Sequence, residues 1–308
     1  MKLSVCIPVY NFDVRNLVED LNREINKKEL DAEIILIDDA SDETFTNINK
    51  ELLDKVQNFI FLEKNVGRSK IRNFFLNYSR GEYFLFLDCD GKIIEENFLK
   101  KYISFLNENP DVVYGGRVVS EIPPEKKYIL RWKFAVEREN LPISMRLQKP
   151  YLSFQTNNFI IKKEIFQKIT FDPGFEKYGY EDLLFAMDLK SEHIKIQHID
   201  NPIFNNDLES NDVYLEKVKE SVENLSRMIN IHPLKLRISE IKLVKAYTFL
   251  QNLHLQSIFL TFFGLFEERI KKNLLSDNPK ITYLDFYKLG LLLNLKNLKN
   301  LKKENKTI

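Results

Sequence analysis

The first 115 residues alternate short apolar runs with amphipathic segments. The run at residues 3–7 stops at Pro8, and residues 13–28 then carry apolar side chains at helical spacing. Further apolar runs at 33–37, 59–62, 83–87 and 112–114 predict strands, and the segments 43–56, 68–78 and 97–108 predict helices. Strands that alternate with helices in this way indicate an α/β fold with a mainly parallel, doubly wound sheet.

The pattern changes in the second half of the chain. Four prolines interrupt residues 120–150, where we expect an irregular insertion with a helical turn around Trp132. A strand at 159–161 and a helix at 163–169 follow. From residue 213 onward the spacing is helical, with loops near Pro233 and Pro279. We therefore predict a catalytic domain over 1–225 and a C-terminal helical region over 226–308.

Composition limits the class of protein. The 308 residues are 44% hydrophobic and 30% charged, which is typical of a soluble globular chain and excludes intrinsic disorder as the main state. Two cysteines cannot form a disulfide scaffold and indicate a reducing compartment. No stretch of 18 apolar residues occurs, and the N-terminal apolar run is too short for a signal peptide. We expect a cytoplasmic protein, at most held at the inner face of the cell membrane.

Charge is distributed unevenly. Residues 268–308 contain ten Lys or Arg and four acids, a net charge of +6, whereas the whole chain carries only +1. Within 258–308, the segments 258–266 and 289–298 are apolar with interleaved polar residues. A basic amphipathic helix can lie on an anionic membrane. The alternative is a helical pair that packs on the catalytic domain or on a second copy in a homo-oligomer. No aromatic pattern typical of RNA binding is present, so a nucleic-acid partner is not expected.

Acidic residues follow two of the predicted strands. Asp38 and Asp39 end the second strand, and Asp88 and Asp90 end the fourth. Ligands of open parallel sheets bind beyond the carboxyl ends of the strands. Four acids at one edge repel each other, so either a cation lies among them or a polar ligand shares them. Two carboxylates at positions i and i+2 can bind Mg²⁺ or Mn²⁺. Alternatively, these acids only stabilise turns and cap helices.

Two helix starts also carry candidate chemistry. Gly67 precedes a helix whose first turns contain Arg68, Lys70 and Arg72, a pattern that favours anion binding or, alternatively, a solvated basic face. Glu181 and Asp182 open an apolar helix. They are either acids stabilised by the helix dipole or a general base that accepts a hydroxyl proton.

Taken together and in this order, the motifs resemble those of the family 2 glycosyltransferases, which have the GT-A fold. The resemblance covers roughly residues 1–225 and is closest to non-processive bacterial members. It rests on Ser4–Asn11, Ile37–Asp42, Asn65-x-Gly67-x-Ser69-x-x-Arg72-Asn73, Gly81–Tyr83, Asp88-Cys89-Asp90 and Glu181-Asp182.

The resemblance implies an inverting transfer of a sugar from a nucleotide-sugar donor, UDP-linked by default, to an acceptor hydroxyl. The acceptor would be a glycan or a lipid-linked glycan in the synthesis of a cell-surface glycan, lipopolysaccharide or capsule. A divalent metal, Mn²⁺ or Mg²⁺, would be the cofactor. Asp182 would be the catalytic base and Glu181 would orient hydroxyl groups. The residues implied to bind the nucleotide-sugar are Pro8, Tyr10, Asn11, Asp39, Arg72, Asp88 and Cys89, and those implied to bind the metal are Asp90 and Asp88.

The sequence departs from the family pattern at one metal position. The family usually has a histidine after the segment Ile199–Phe204, and here that position is Asn205. An amide oxygen is a poorer Mn²⁺ ligand than imidazole, so a weaker metal site is expected. The Gln-x-x-Arg-Trp motif of processive synthases is missing after Asp182, which indicates a single-addition enzyme.

Two rival functions follow from the same residues. A nucleotidyltransferase would need a glycine-rich basic loop after the first strand, and residues 9–13 lack one. A catalytically silent domain that only binds nucleotide-sugars or glycans stays open because of Asn205.

Overall fold

The structure is a computed structural model, and it describes residues 2–174, 179–205, 208–231 and 238–304. Its strands are β1 (Leu3–Val9), β2 (Ala32–Asp38), β3 (Asn58–Phe61), β4 (Tyr83–Leu87), β5 (Gly91–Lys92), β6 (Val112–Tyr114), β7 (Arg117–Val118), β8 (Asn158–Lys162), β9 (Ile196–His198) and β10 (Ile203–Asn205). Its α-helices are α1 (Arg15–Lys28), α2 (Glu43–Asn49), α3 (Arg68–Phe74), α4 (Phe98–Phe105), α5 (Ile129–Phe134), α6 (Ile143–Arg146), α7 (Lys163–Lys168), α8 (Glu181–Ser191), α9 (Asn211–Asn230), α10 (Lys242–Asn252), α11 (Gln256–Leu274) and α12 (Ile281–Glu304).

Most of the predicted elements are present. Each strand predicted from an apolar run is found, and α5 contains Trp132. The predicted loop near Pro279 separates α11 from α12, whereas the one near Pro233 lies outside the described residues. The pattern succeeds here because the buried positions of these elements recur at the period of a strand or a helix.

The large sheet is mainly parallel, with the strand order β3-β2-β1-β4-β8-β6-β9 among the described residues. The exception is β8, which runs antiparallel to both β4 and β6. The prediction of a mainly parallel sheet is confirmed, whereas the reversed direction of β8 was not predicted. A strand that is buried on both faces is apolar in either direction, so the run Phe159–Ile161 does not encode its own orientation.

Helices cover both faces of this sheet, as predicted. On one face the strands pack with α1 and α4, in a cluster that includes Val5, Leu21 and Tyr102. On the other face they pack with α3, α7 and α8, in a cluster that includes Phe159 and Phe185. With both faces covered, polar ligands reach the sheet at its edge, beyond the carboxyl ends of the strands.

A second, three-stranded sheet has the order β5-β10-β7 and was not predicted. Its strands contain only two or three residues, too few to display an alternating pattern. Asn205 lies opposite Gly91, and Ile203 lies opposite Arg117. The small sheet thus brings the residue after Asp90 next to Asn205, which is far away in the sequence.

The chain divides into two compact units. The first comprises residues up to Ser120, with 139–176 and 181–207; the second comprises mainly Glu121–Arg138 and the residues from Leu208 onward. The predicted boundary after residue 225 falls inside the continuous helix α9, whose Leu215 belongs to the same apolar cluster as Phe263 and Tyr287. Within the described residues, no helix combines the length and the apolar character needed to cross a membrane.

Candidate active site

The loops after β1 and β2 are tied together by one asparagine. The Asn11 backbone N–H donates to Ser41 Oγ at 2.8 Å, and its side chain exchanges hydrogen bonds with Asp42. Asn11 has a φ of 47°, a left-handed conformation that asparagine tolerates better than most residues. Pro8 lies near the end of β1, and the Tyr10 ring is half exposed beside this loop pair.

Asp39 supports the next loop along the edge. Its carboxylate accepts the backbone N–H groups of Val66 and Gly67 at 2.7 and 3.1 Å, directly before α3. Burial raises the pKa of Asp39, and these hydrogen bonds oppose the rise. Asp38 instead accepts the Ser41 N–H at 2.7 Å, the capping role given above as the alternative. Contact between Asp39 and a nucleobase stays a prediction.

Arg72 points inward from α3 and is only 2% exposed. Its Nη2 donates to Asp88 Oδ1 at 2.6 Å, and its Nη1 donates to the Arg68 carbonyl at 3.0 Å. The guanidinium also lies 5.6 Å from the centre of the Phe171 ring. A buried arginine held from three sides is a fixed positive charge next to the acids at the end of β4.

Asp88, Cys89 and Asp90 face different partners although they are adjacent in sequence. Asp90 Oδ2 accepts the Asn205 amide at 2.7 Å, while its Oδ1 is buried without a partner. Burial and the neighbouring Asp88 raise the pKa of Asp90. Burial also raises the pKa of the Cys89 thiol, to about 12, and the Tyr10 backbone hydrogen-bonds to it. The motif thus combines three different groups. The Asp88 carboxylate is paired with arginine, the Cys89 thiol is neutral, and the Asp90 carboxylate has no positively charged hydrogen-bond partner in the described segments.

Asn205 contacts Asp90 through its amide nitrogen, whereas a metal ligand would present the amide oxygen. In this arrangement Asn205 fixes the Asp90 side chain, and its predicted role as a metal ligand stays a prediction. Across the described part of the chain, no three His, Cys, Asp or Glu side chains converge as a ready-made metal site. His198 lies in β9 with its Nε2 at 3.1 Å from the Pro150 carbonyl oxygen, so it does not replace the missing histidine.

Glu181 and Asp182 open α8, the helix that packs against the sheet through Phe185. Burial and the nearby Glu181 carboxylate raise the pKa of Asp182 to about 7, and Glu139 adds to the rise. Glu181 itself is buried, with its carboxylate 3.9 Å from Arg68 of α3. A carboxylate with a pKa near neutrality can exchange a proton at physiological pH.

No role in the site was predicted for three further residues near these acids. Arg117, only 8% exposed, pairs with Glu139 at 2.9 Å, and Asn157 lies just before β8 with both polar side-chain atoms buried and unpartnered. Arg117 directly follows Gly115-Gly116, but an arginine after a turn carries no specific signal on its own. Glu139 lies in the irregular insertion, where no periodicity indicates which residues point inward.

A family model described as Glycosyl transferase family 2 matches residues 4–175, more than half of the chain. The chain belongs to this family. The matched segment includes β1 through β8, with the Asp39, Arg72 and Asp88-Cys89-Asp90 positions described above. The predicted family membership and GT-A fold class are thereby confirmed. The Glu181-Asp182 pair lies just beyond the matched residues.

Characterised and uncharacterised relatives share parts of the chain. The poly(ribitol-phosphate) beta-glucosyltransferase of Bacillus spizizenii is 33% identical over 123 residues, which are 38% of this chain and 19% of that protein. An uncharacterized glycosyltransferase of Methanocaldococcus jannaschii is 24% identical over 230 residues, 70% of this chain and 74% of that protein. The first of these matches therefore spans only about a fifth of its relative's length.

Solved structures share the fold over nearly the whole chain. S. aureus TarS 1-349 in complex with UDP-GlcNAc has a TM-score of 0.53 and 19% identity, covering 96% of this chain and 92% of that one. The mannosyltransferase PcManGT of Pyrobaculum calidifontis, in complex with GDP-Man and Mn2+, has a TM-score of 0.54 and 14% identity, covering 97% and 87%. Because the sequence identities are this low, these two structures show that the fold is shared and do not identify the substrate.

Proposed function

We propose that this glycosyltransferase transfers a sugar, with inversion, from a UDP-sugar to an acceptor hydroxyl, and that Asp182 is the base. The observation that carries the proposal is the convergence of two opposite kinds of group at one sheet edge. Arg72 and Arg68 supply positive charge next to Asp88 and Glu181. Asp182 supplies a carboxylate whose pKa lies near 7.

The donor nucleotide would lie at the ends of β1 and β2. Tyr10 offers an exposed aromatic face for a base, and Asp39 has a carboxylate at the same edge. Pro8, Asn11 and Cys89 border this region. A UDP-sugar is preferred because the structural neighbour TarS binds UDP-GlcNAc, while the GDP-Man bound by PcManGT makes GDP the second choice.

The residues present fit a divalent metal. Asp90 Oδ1 is buried with no hydrogen-bond partner, and the pKa of Asp90 is raised, so a cation would relieve both conditions. Asp90 and the free oxygen of Asp88 would hold Mg²⁺ or Mn²⁺, with Asn205 keeping Asp90 in position. When bound, the metal would neutralise charge on the departing diphosphate as a Lewis acid.

Asp182 would accept the proton of the acceptor hydroxyl as that oxygen attacks the anomeric carbon. The C1–O bond to the diphosphate breaks on the opposite face, which gives inversion. Glu181 would orient a sugar hydroxyl, and Arg68 holds it in place. Arg72 would stabilise the diphosphate as negative charge accumulates on its oxygens.

The acceptor would be a glycan or a lipid-linked glycan of the cell surface. The relative in Bacillus spizizenii bears the name of an enzyme that glucosylates poly(ribitol-phosphate), which is a polymeric acceptor. We further propose that the second unit holds the enzyme at an anionic membrane, where such acceptors are made.

The membrane proposal rests on a set of exposed apolar side chains on α10, α11 and the turn between them, which we call the tip. Its members are between 46% and 73% exposed and comprise Phe249, Leu253, Ile258, Phe262, Leu265 and Phe266. No charged residue occurs from 246 to 266. Exposed cations flank the apolar stretch in sequence, Lys245 on α10 and Arg269 and Lys272 on α11, together with the exposed acid Glu268. Apolar side chains bordered by cations suit an anionic bilayer surface.

Thermal unfolding with nucleotides tests the proposed activity. UDP, GDP, CMP and dTDP are each added with Mn²⁺, with Mg²⁺ and with EDTA. A nucleotide at about 100 times its Kd stabilises the protein by roughly 2.7 kcal/mol, which is a shift of several degrees. We expect a UDP-selective shift that metal strengthens.

The variant Asp182→Asn separates an enzyme from a silent binding domain. It should keep the UDP shift and lose at least a hundredfold of the turnover of the UDP-sugar, because only the base is removed. Glu192→Gln, on the exposed surface after α8, is the matched control and should keep full turnover. A wild-type protein that binds UDP but turns over no donor sugar would support the silent domain instead.

A further inference from the structure

Several buried polar atoms at the carboxyl edge of the large sheet have no hydrogen-bond partner. They include Asp90 Oδ1, Tyr114 Oη and Arg117 Nε, and at Asn157 both Nδ2 and Oδ1. Asn157 is only 6% exposed. A buried amide that satisfies neither its donor nor its acceptor is costly, and native structures usually supply a partner for such a group. A bound ligand or an ordered water molecule is therefore expected as the partner of Asn157.

The backbone fixes where this amide lies. The Asn157 carbonyl oxygen accepts the Asp88 N–H at 3.3 Å, and the next residue, Asn158, is paired with Leu87 of β4. On its other side, the Asn158 carbonyl oxygen accepts the Gly115 N–H at 3.1 Å. Asn157 thus lies between the Asp88 motif and the Gly115-Gly116 turn that leads to Arg117.

Strand alternation gives the face on which the side chain lies. The Asn158 amide bonds to the carbonyls of Gly116 and Asn201 and to Tyr102, on the α4 side. Phe159 packs on the opposite side, with its ring 6.1 Å from that of Phe185 in α8. Because alternate side chains share a face, Asn157 belongs with Phe159 on the α8 side.

The same packing brings Asn157 towards Asp182. Asn157 lies about 7 Å beyond Phe159 along the strand direction, and Asp182 lies about 4.5 Å before Phe185 along α8. Asn157 is offset from Phe159 towards the edge where Asp88 lies, because Asn158 pairs with Leu87 there. Asp182 is offset from Phe185 towards the same edge, because α8 begins there beside Arg68. The unpartnered amide and the proposed base therefore border the same part of the site.

The order of strands distinguishes this position from the nucleotide pocket. Tyr10, Asn11 and Asp39 follow β1 and β2, Asp88 follows β4, and Asn157 precedes β8 on the far side of β4. Neighbouring strands are about 4.8 Å apart, so Asn157 lies roughly 10 Å from β1. A donor with its base at β1 and β2 and its diphosphate near Asp88 would have its sugar beside β8.

We propose that Asn157 binds hydroxyl groups of the transferred sugar and determines which sugar is accepted, an inference that rests on the proposed transferase activity. A carboxamide presents one donor and one acceptor side by side, which matches two adjacent hydroxyls. The charged groups nearby are suited to binding phosphate or a metal ion and to accepting a proton. A neutral amide is suited instead to hydrogen bonding with the hydroxyl groups of a sugar. A sugar lacking a matching hydroxyl leaves the buried amide unpaired, and sites of this kind reject such analogues strongly.

The test measures sugar recognition separately from nucleotide recognition. Kd values for UDP, UDP-glucose, UDP-galactose and UDP-GlcNAc are measured by calorimetry on the full chain, for wild type, Asn157→Leu and Asn157→Asp. Leucine preserves volume but removes both hydrogen-bonding atoms, and aspartate keeps the shape but removes the donor. For both variants, we expect the Kd of UDP to change by less than twofold and that of the preferred UDP-sugar to rise at least tenfold.

A failure of the proposed transferase activity and a failure of the proposed role of Asn157 give different binding results. If wild type binds neither UDP nor a UDP-sugar, the proposed function fails and this inference falls with it. If wild type discriminates among the sugars and both variants keep the same ranking and the same kcat/KM, the inference alone is wrong. Should Asn157→Leu not fold, Asn157→Asp decides the matter, because it preserves the volume and the acceptor.

Discussion

At the scale of single residues, the site depends on ionisation states and ion pairs that cannot be read from a sequence motif. The Glu181-Asp182 pair is visible in the sequence, and its position at a helix start is predictable from the apolar residues after it. The elevated pKa of Asp182 is not predictable in this way, because it arises from burial and the Glu181 carboxylate, with a smaller contribution from Glu139 of the irregular insertion. Arg72 was predicted to face the site, whereas its 2.6 Å contact with Asp88 required the three-dimensional packing.

The variant Asp182→Asn should change stability in a pH-dependent way. The pKa of Asp182 is about 7 in the folded protein and near 3.8 in the unfolded chain, so the folded state binds more protons between these values. The favourable contribution of the protonated carboxyl is fully present below about pH 4 and is lost as pH rises through about 7. Asparagine does not titrate, and the stability of the variant relative to wild type should therefore increase by about 3 kcal/mol from pH 5 to pH 8.

Urea unfolding at pH 5, 6, 7 and 8 checks this expectation. Asp13→Asn is the control, because the pKa of Asp13 is lowered by Arg15 and this carboxyl stays ionised throughout the range in both states. Its stability difference from wild type should be constant with pH. A similarly constant difference for Asp182→Asn would contradict the elevated pKa.

At the scale of elements, the sequence predicts helices and strands that bury a regular apolar face, and little else. The strands β1, β2 and β4 and the helices α1 and α4 were identified from this periodicity. The direction of β8 and the short strands β5, β7 and β10 were not, since two or three residues carry no period. The contact between Asp90 and Asn205 depends on that short sheet, and the geometry of the site was therefore inaccessible to pattern analysis.

Glu24 forms a contact between two helices that could not be predicted from the spacing of apolar residues. It lies on the buried face of α1, yet its carboxylate accepts the backbone N–H groups of Leu99 and Lys100, each at 3.0 Å. It thus caps the start of α4 from a distant part of the chain, and Lys28 approaches it at 3.4 Å. The first turn of a helix has N–H groups without intrahelical partners, which an acid satisfies.

Replacing Glu24 by Ala should therefore destabilise the first unit by about 1–3 kcal/mol, because one buried and one partly buried N–H group lose their acceptor. Glu19→Ala is a suitable control on the same helix, as Glu19 is half exposed and forms a surface pair with Lys55. It should cost less than about 1 kcal/mol. Equal urea midpoints for the two variants would refute the capping role.

At the scale of the whole molecule, charge and apolar surface point to the same partner. The excess of positive charge in residues 268–308 was evident from the sequence, as was the apolar character of 258–266. The structure adds that Phe263 is buried in the second unit, whereas Phe262, Leu265 and Phe266 remain exposed. Only the exposed members are available to a membrane, a distinction that composition cannot make.

Sedimentation with vesicles of phosphatidylcholine and phosphatidylglycerol tests the tip. We expect binding that requires the anionic lipid, weakens with salt and falls at least tenfold in the double variant Phe262→Ser/Leu265→Ser. Leu147→Ser is the matched control, since Leu147 is 56% exposed but lies in the first unit. Unchanged vesicle binding in the double variant, or loss of a dimer in place of vesicle binding, would overturn the membrane proposal.

The state of the two cysteines has a practical consequence. Cys6 is fully buried with a raised pKa, and Cys89 has a pKa of about 12, so both are almost entirely protonated at neutral pH. Maleimide reagents attack the thiolate, so a protonated thiol reacts slowly even where it is partly exposed, as at Cys89. A cysteine introduced at the exposed position Thr261 should therefore be labelled selectively in the otherwise native chain. The natural sequence is thus suited to fluorescence or spin-label measurements without prior removal of cysteines.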